Sequence, residues 1–208
     1  MQHRGYYIIL EGGEGCGKSF QAKSLAEFLN QKGVPAFNMR EPGSTPESEK
    51  IRAILLGTGN NIHPLTELFL FEAARTEFFS KELIRRIESG ISVVSDRSGY
   101  SSEAYQGYGG GVDLDFIRQL NTQATFGVNP DLAFFIDIPA EKGLSKEVKS
   151  DRFAAKGLEY HKRVNAGYRD IAKRLKDIAQ VIPYRENQAE EMQEEIRRIT
   201  QQKLRLSL

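Results

Sequence analysis

An apolar run at residues 6–10 leads directly into a glycine-rich segment that ends in lysine and serine. Residues 12–19 read G-G-E-G-C-G-K-S and match the phosphate-loop pattern G-x-x-x-x-G-K-[ST] at every fixed position. In such a loop, backbone N–H groups and the N-terminus of the following helix surround the phosphates of a nucleotide. The segment therefore predicts a strand, a phosphate-binding loop and a helix that together bind a nucleoside triphosphate.

The side chains of this loop have separate expected roles. Lys18 is expected to reach the β- and γ-phosphates, and the hydroxyl of Ser19 is expected to bind Mg²⁺. Cys16 is the only cysteine; we expect it to fill space in the loop, and a reactive thiol is the alternative. The nucleotide-binding residues predicted for this segment are Gly12, Gly13, Glu14, Gly15, Cys16, Gly17, Lys18, Ser19 and Phe20.

Composition limits the partners of the chain. Its 208 residues suit one α/β domain, and a net charge of +1 provides no strong field for nucleic acid or an acidic membrane. No apolar run approaches the roughly 18 residues of a membrane span, and the run at 6–10 is too short for a signal peptide. A single cysteine suits a reducing compartment. We therefore expect a cytoplasmic protein with no nucleic-acid or membrane partner.

Strand-like runs alternate with helical periodicity along the whole chain. Such alternation predicts an α/β fold of three layers, with a five-stranded parallel sheet covered by helices on both faces, in one domain spanning 1–208. The predicted strands are Tyr6–Leu10, Pro35–Arg40, Ile91–Ser95, Leu132–Asp137 and Val181–Pro183. The predicted helical segments are 18–32, 47–57, 65–89, 113–125, 139–148, 152–178 and 187–204.

Polar side chains follow three of these strands, and the carboxyl ends of parallel strands share one edge of a sheet. Glu11 follows the first strand, R-E-P at 40–42 the second, and Asp96 and Arg97 the third. Asp96 is placed to hold Mg²⁺, and the alternative is an N-cap of the next helix. Arg97 is placed to bind a phosphate, and the alternative is a solvated surface arginine.

Two further segments are candidates for binding the rest of a substrate. Phe71 and Arg75 lie four residues apart in a helical segment, so they share a face and are suited to stack on and hydrogen-bond a nucleobase. Membership of the core is the alternative for Phe71. Residues 100–111 are polar, aromatic and rich in glycine, which favours a binding loop, or alternatively a mobile surface loop.

Several segments taken in order carry a family resemblance. They are L-E-G-G-E-G-C-G-K-S at 10–19, R-E-P-G-S-T-P-E-S-E-K-I-R at 40–52, L-F-L-F-E-A-A-R at 68–75, D-R-S at 96–98, S-S-E-A-Y-Q-G-Y-G at 101–109, D-R-F at 151–153 and G-L-E-Y-H-K-R-V at 157–164. In these segments the chain resembles the thymidylate kinases, a family of P-loop nucleoside-monophosphate kinases. The resemblance implies a homodimer that uses ATP and Mg²⁺ to phosphorylate dTMP to dTDP for dTTP synthesis.

The same resemblance implies roles for individual residues. Phe71 would stack on thymine and Arg75 would bond its carbonyl edge, while Tyr105 would pack against the deoxyribose. Arg97 would hold the dTMP phosphate, and Glu11 would meet the sugar 3′-hydroxyl or the metal shell. The full dTMP-binding set implied is Glu11, Arg40, Glu41, Pro42, Arg52, Phe71, Arg75, Arg97, Ser102, Tyr105 and Gln106. The catalytic set implied is Lys18, Arg97, Arg152 and Glu11.

The chain departs from the family pattern at several positions. Gly15 stands where some thymidylate kinases carry a mobile arginine, so a lid at about 143–153 would supply the positive charge, with Arg152 the best candidate beside Lys146 and Lys149. Ser98 and Phe20 also differ from the usual residues, and Arg185 is expected to stack on adenine.

Two other functions stay open on the sequence. A deoxynucleoside kinase would phosphorylate a neutral hydroxyl and would need a carboxylate base, for which Glu11 or Glu41 is available. A non-catalytic nucleotide-binding homologue would bind ATP without forming dTDP.

Overall fold

A single parallel sheet forms the centre of the protein in the computed structural model, which describes residues 4–57, 61–146 and 152–206. Its strands are β1 (Tyr7–Gly12), β2 (Ala36–Arg40), β3 (Ser92–Asp96), β4 (Leu132–Asp137) and β5 (Ala179–Pro183). The strand order is β2-β3-β1-β4-β5, and every pair is parallel. The predicted fold class is confirmed, and each predicted strand end lies within two residues of its position in the structure.

Helices cover both faces of this sheet. They are α1 (Lys18–Gln31), α2 (Pro46–Leu56), α3 (Pro64–Phe78), α4 (Ile84–Glu88), α5 (Gly99–Ser102), α6 (Leu114–Ala124), α7 (Ala140–Lys146), α8 (Leu158–Arg174) and α9 (Ala189–Lys203). The helix predicted over 65–89 is interrupted by a π-helical turn at Phe79–Leu83, and the one predicted over 152–178 begins only at α8, after a 3₁₀ turn at Ala154–Lys156.

The prediction of a loop at 100–111 is wrong. Helix α5 continues into a π-helical segment, Glu103–Gly109, most of which is buried. Its glycines serve close packing: a Cβ added at Gly107 would lie 2.4 Å from the Leu114 side chain, and one added at Gly109 would lie 2.6 Å from the Tyr160 ring. A glycine-rich composition therefore marks helix–helix contact at this place and not backbone freedom.

The strand β1 lies at the centre of the sheet and is buried along its whole length, as expected where helices cover both faces. Ile8 and Leu10 point into the core layer that contains α1 and α9, while Tyr7 and Ile9 point into the layer that contains α3 and α8. Within the described ranges, no helix is long and apolar enough to cross a bilayer. The central position of β1 places the loop that follows it in the middle of the carboxyl edge.

Candidate active site

One cavity of about 360 Å³ opens at the carboxyl edge of the sheet, beside the phosphate loop. It joins the loop to the ends of β2 and β3, to α3, and to the helical segment that follows β3. Most of the predicted site residues line it: Glu14, Gly15, Gly17, Lys18, Ser19, Phe20, Arg40, Glu41, Pro42, Arg52, Phe71, Arg75, Asp96, Arg97, Ser102, Tyr105 and Gln106. These predicted residues, separated by up to 92 positions in the chain, therefore meet around one space.

The phosphate loop has the expected backbone conformation. Gly17 has a φ of +87° and is the N-cap of α1, and the first residues of that helix line the cavity, so its unpaired N–H groups are available there. Lys18 is buried, and its Nζ donates to the carbonyl oxygens of Gly12 (3.0 Å) and Gly13 (2.7 Å). Cys16 is buried in the core, which agrees with a space-filling role and not with an exposed reactive thiol.

The structure gives a steric reason for glycine at position 15. Gly15 has a φ of +64°, and a Cβ built on it would lie 2.3 Å from the carbonyl oxygen of Gly143 in α7. The loop and α7 therefore approach too closely for any side chain, an arginine included. The loop cannot carry a mobile arginine at this position unless α7 moves.

Ser19 and Asp96 lie together as the sequence indicated. The Ser19 hydroxyl donates to Asp96 Oδ2 at 2.5 Å, and Asp96 Oδ1 is buried without a partner in the described part of the chain. The alternative role of Asp96 as an N-cap does not apply, because Ser98 caps α5 by accepting from the Tyr100 N–H. Among the described residues no group of three or more His, Cys, Asp or Glu side chains forms a metal cage.

This pair fits Mg²⁺, which is usually held by one or two protein oxygens, water and the substrate phosphates. The carboxylate oxygen without a partner and the adjacent hydroxyl provide the two protein ligands such a site needs.

Arg97 lies between the two ends of the cavity and is held by an acidic partner. Its Nη2 donates to both oxygens of Glu14, at 3.1 and 3.2 Å, and its guanidinium carbon lies 5.1 Å from the centre of the Tyr105 ring. The Tyr105 hydroxyl donates to Glu14 at 2.5 Å. Only 20% of the Arg97 side chain is exposed, so it is not a solvated surface arginine.

The charges around Glu14 keep it ionised. Burial alone would raise the pKa of the Glu14 carboxyl, but the positive charges of Arg97 and Lys18 and the Tyr105 hydroxyl outweigh burial and lower that pKa to about 2. A permanent carboxylate therefore lies beside the arginine expected to bind a phosphate.

Two more arginines line the wall contributed by β2 and α2. Arg52 donates a hydrogen bond to the carbonyl oxygen of Pro42 at 2.8 Å. Arg40 Nη2 donates to both carboxylate oxygens of Glu49 at 3.1 Å. These cations and Arg97 make this part of the cavity suitable for a second phosphate, separate from the one at the loop.

The far end of the cavity has the features of a base-binding site. Arg75 is 2% exposed; it donates to Glu41 at 2.7 Å, to Glu72, and to Asn121 at 2.9 Å. Its Nη2 makes one long bond, 3.3 Å to Ser102. That nitrogen is consequently the one with donor capacity left for a ligand.

Burial governs the protonation of Glu41, the carboxylate that is paired with Arg75. It raises the pKa of Glu41 to about 7, against the opposing effect of Arg75.

Phe71 is half-buried and lines the cavity, where its ring packs against Phe153 with centroids 5.8 Å apart. It therefore contacts the core and at the same time presents a surface to the cavity. Gln106 lies one turn beyond Ser102 and also lines the cavity. Its Oε1 is buried and has no partner within the described residues.

Six residues of the predicted site do not line the cavity. Glu11 is fully buried behind it and accepts from Ser98 (2.7 Å), Ser101 (2.7 Å) and Tyr168 (3.0 Å), and burial raises its pKa. The backbone of Gly12 and Gly13 and the side chain of Cys16 lie on the core side of the loop. Arg152 and Arg185 are the other two.

The two outlying arginines are engaged elsewhere. Arg152 donates to the carbonyl oxygen of Leu55 at 3.0 Å and to Glu67, and Arg185 donates to Glu195 at 2.6 Å. Of the predicted lid, residues 147–151 lie outside the described residues, Lys149 among them. At the N-terminal end of the predicted lid, Lys146 forms an ion pair with Glu186.

The structure adds residues that the sequence reasoning missed. In the sequence, Tyr168 lies with Val164, Ile171 and Leu175 on one apolar face of the helical segment 152–178, but in the structure its hydroxyl contacts Glu11 and Arg97. Phe153 lines the cavity and contacts both Phe71 and Tyr105. The D-R-F segment at 151–153 contained a usable signal for Phe153, whereas nothing in the pattern distinguished Tyr168 from core.

A phosphate loop after the central strand, a serine–aspartate pair with the chemistry to bind a metal, and a second cationic wall across one cavity define a P-loop phosphotransferase. The cavity also lies at the carboxyl ends of the strands, where open α/β sheets bind their ligands.

Comparison with known proteins identifies the family. The sequence model described as thymidylate kinase matches residues 10–196. The chain is 44% identical over 166 residues to a thymidylate kinase of Synechococcus sp. (strain JA-2-3B'a(2-13)), covering 80% of each chain. It is 40% identical over 174 residues to one from Carboxydothermus hydrogenoformans, covering 82% of this chain and 85% of the relative.

A solved structure agrees with these sequence relatives. The crystal structure of a thymidylate kinase from Ehrlichia chaffeensis superimposes with a TM-score of 0.80 at 30% identity, covering 95% of this chain and 100% of the other. The chain belongs to the thymidylate kinase family.

Proposed function

We infer that this protein is a thymidylate kinase: it transfers the γ-phosphoryl group of ATP to the phosphate of dTMP, producing ADP and dTDP for dTTP synthesis. The observation that carries this conclusion is one continuous cavity with the phosphate loop at one end and Phe71, Arg75 and Gln106 at the other. Arg97 lies between the two ends, where an acceptor phosphate would meet the donor.

The donor is held at the loop. Lys18 exchanges its bonds to the loop carbonyls for the β- and γ-phosphates, and the N–H groups at the start of α1 bind the same phosphates. Ser19 and Asp96 would hold Mg²⁺, which would neutralise charge on the phosphates. Arg97, Arg52 and Arg40 hold the dTMP phosphate in line with the donor.

No general base is required for this reaction, since a phosphate monoester is already mostly ionised at neutral pH. The attacking atom is an oxygen of the dTMP phosphate. It forms the new bond to the γ-phosphorus while the bond to the β-γ bridging oxygen breaks, and ADP leaves.

Thymine lies against Phe71. Its ring stacks on the phenyl group, Arg75 Nη2 donates to a ring carbonyl, and Gln106 Oε1 accepts from the N3–H group. Tyr105 contacts the sugar. We assign the sugar 3′-hydroxyl to Glu14 in place of Glu11, because Glu14 lines the cavity and Glu11 does not.

Arg152 remains our proposal for a catalytic cation. In that role it exchanges Glu67 and Leu55 for the ATP phosphates when the nucleotide binds. Arg185 stacks on adenine after release from Glu195.

We propose that the protein is a cytoplasmic homodimer. Support for the dimer comes from an exposed aromatic pair: Phe69 on α3 is 50% exposed, Phe116 on α6 is 37% exposed, and their rings pack edge to face at 6.4 Å. Burying both rings against a second copy would remove apolar area from water. Sedimentation of the wild type and of Phe69→Lys tests this state; a monomeric wild type contradicts it.

An ADP-release assay tests the activity with dTMP, dUMP, dGMP, AMP and thymidine as acceptors. We expect turnover with dTMP to exceed that with each of the others. Faster turnover with thymidine would indicate a deoxynucleoside kinase. ATP binding without ADP release for any acceptor would indicate a non-catalytic homologue.

A further inference from the structure

A buried carboxylate behind the base-binding end has no contact with either substrate in the mechanism above. Glu67 lies in the first turn of α3, is 1% exposed, and does not line the cavity. It accepts hydrogen bonds from Gln106 Nε2 at 3.1 Å, from Lys156 Nζ at 2.9 and 3.1 Å, and from Arg152 Nη1. Gln106 is the one of these three donors that lines the cavity.

The chemistry of an ionised carboxylate dictates how the Gln106 amide is oriented. A carboxylate only accepts hydrogen bonds, so the NH₂ end of the amide must face Glu67 and the carbonyl end must face away. Rotating the amide by 180° would bring Gln106 Oε1 against the Glu67 oxygens. Burial by itself would raise the pKa of Glu67, but the hydrogen bonds from Lys156 and Arg152 outweigh that effect and lower the pKa below its usual value. The amide is therefore held in one of its two orientations.

The unpartnered oxygen of the Gln106 amide is the atom through which this orientation affects the ligand. Gln106 Oε1 is buried and has no partner within the described ranges, and it is the end of the amide that Glu67 leaves for a molecule in the cavity. An acceptor at this place complements a pyrimidine whose ring N3 carries a hydrogen, as in thymine. The same acceptor disfavours cytosine, because the N3 of cytosine is itself an acceptor.

We propose that Glu67 is a positioning residue for base selectivity, which holds the Gln106 amide so that its oxygen faces the pyrimidine and selects an N3–H donor. This proposal rests on the proposed function, with dTMP as the acceptor. Glu67 acts through Gln106 and does not contact the base.

The test uses Glu67→Gln in the full chain. The new amide either donates to or accepts from Gln106, so Gln106 can rotate and offer its NH₂ group to an acceptor. Affinity is measured by calorimetry as the Kd of dTMP and the Kd of dCMP. We expect the preference for dTMP over dCMP to fall roughly tenfold, the usual effect of one mispaired hydrogen bond.

A double-mutant cycle separates positioning from general damage. In a Gln106→Ala background, the change Glu67→Gln should leave the dTMP-to-dCMP ratio unchanged, because the amide it orients is absent. Lys156→Met removes a Glu67 partner on the lid side and should retain most of the selectivity. Glu82→Gln breaks a partly buried Glu82–Arg86 pair distant from the cavity and should retain all of it.

The outcomes decide the proposal. An unchanged ratio in Glu67→Gln, or an equal loss in the Gln106→Ala background, overturns it. If Glu67→Gln does not fold, Glu67→Asp keeps the charge for Lys156 while drawing it back from Gln106, and the same loss of selectivity is expected. Failure of the wild type to phosphorylate dTMP would refute the proposed function, and the ratios measured by binding would still report on Glu67.

Discussion

Replacing Glu14 by glutamine tests the electrostatics of the site most directly. The substitution keeps the size of the side chain but removes the charge that faces Arg97. It also changes the partner of the Tyr105 hydroxyl. We expect lower stability at neutral pH, because a largely buried guanidinium loses its counterion.

The magnitude follows from the pKa of Glu14, which the fold lowers from an ordinary 4.5 to about 2. A shift of this size corresponds to about 3 kcal/mol of unfolding free energy when the carboxyl is ionised. Because the folded pKa is the lower one, the unfolded chain binds the proton first as the pH falls. The stabilisation is complete above pH 4.5 and is lost as the pH decreases toward 2.

Urea unfolding followed by circular dichroism at pH 7, 5, 4 and 3 measures this effect. The difference in unfolding free energy between wild type and Glu14→Gln should be about 3 kcal/mol at pH 7 and 5 and should shrink at pH 4 and 3. Glu195→Gln, at the more exposed pair with Arg185, should cost less than about 1 kcal/mol at pH 7. A difference near zero at pH 7, or one that does not change with pH, would refute the reasoning.

Three further predictions concern the cavity and its loop. Arg97→Ala should lower kcat/KM for dTMP by about 10³-fold through loss of charge-assisted bonds, while ATP binding by calorimetry persists; near-normal turnover would remove its role as a phosphate clamp. Phe71→Ala should raise the KM for dTMP roughly tenfold with little change in kcat, as expected for loss of a stacking surface, and an unchanged KM would return Phe71 to the core. Gly15→Ala should lower Tm by several degrees more than Gly33→Ala, because both glycines have positive φ but only Gly15 faces the Gly143 carbonyl, with open space around Gly33. Equal losses of Tm would contradict the close approach of the loop and α7.

Much of the site could be predicted because its geometry is local or follows from strand ends. The loop motif defines its own backbone, and the apolar runs before Asp96 and Arg97 define strand β3, whose end faces the loop. The prediction of a loop failed because a segment rich in glycine can form either a flexible loop or a closely packed helix. Residues 100–111 have the glycines of a loop, and those glycines serve packing against Leu114 and Tyr160.

The sequence alone determined the phosphate-binding chemistry, the parallel sheet and the edge at which substrates meet. These properties depend on neighbouring residues and on hydrophobic periodicity, which the sequence contains directly. The tertiary structure decided which side chains become partners. Glu14 reaches Arg97 across 83 positions, Glu67 reaches Gln106 across 39, and Arg152 reaches Glu67 across 85.

Such pairings are selected by burial, since a charge or amide removed from water must find a partner among the groups that packing brings near it. For that reason the structure, and not the motif, brings Glu14 to the cavity, buries Glu11 behind it and orients Gln106.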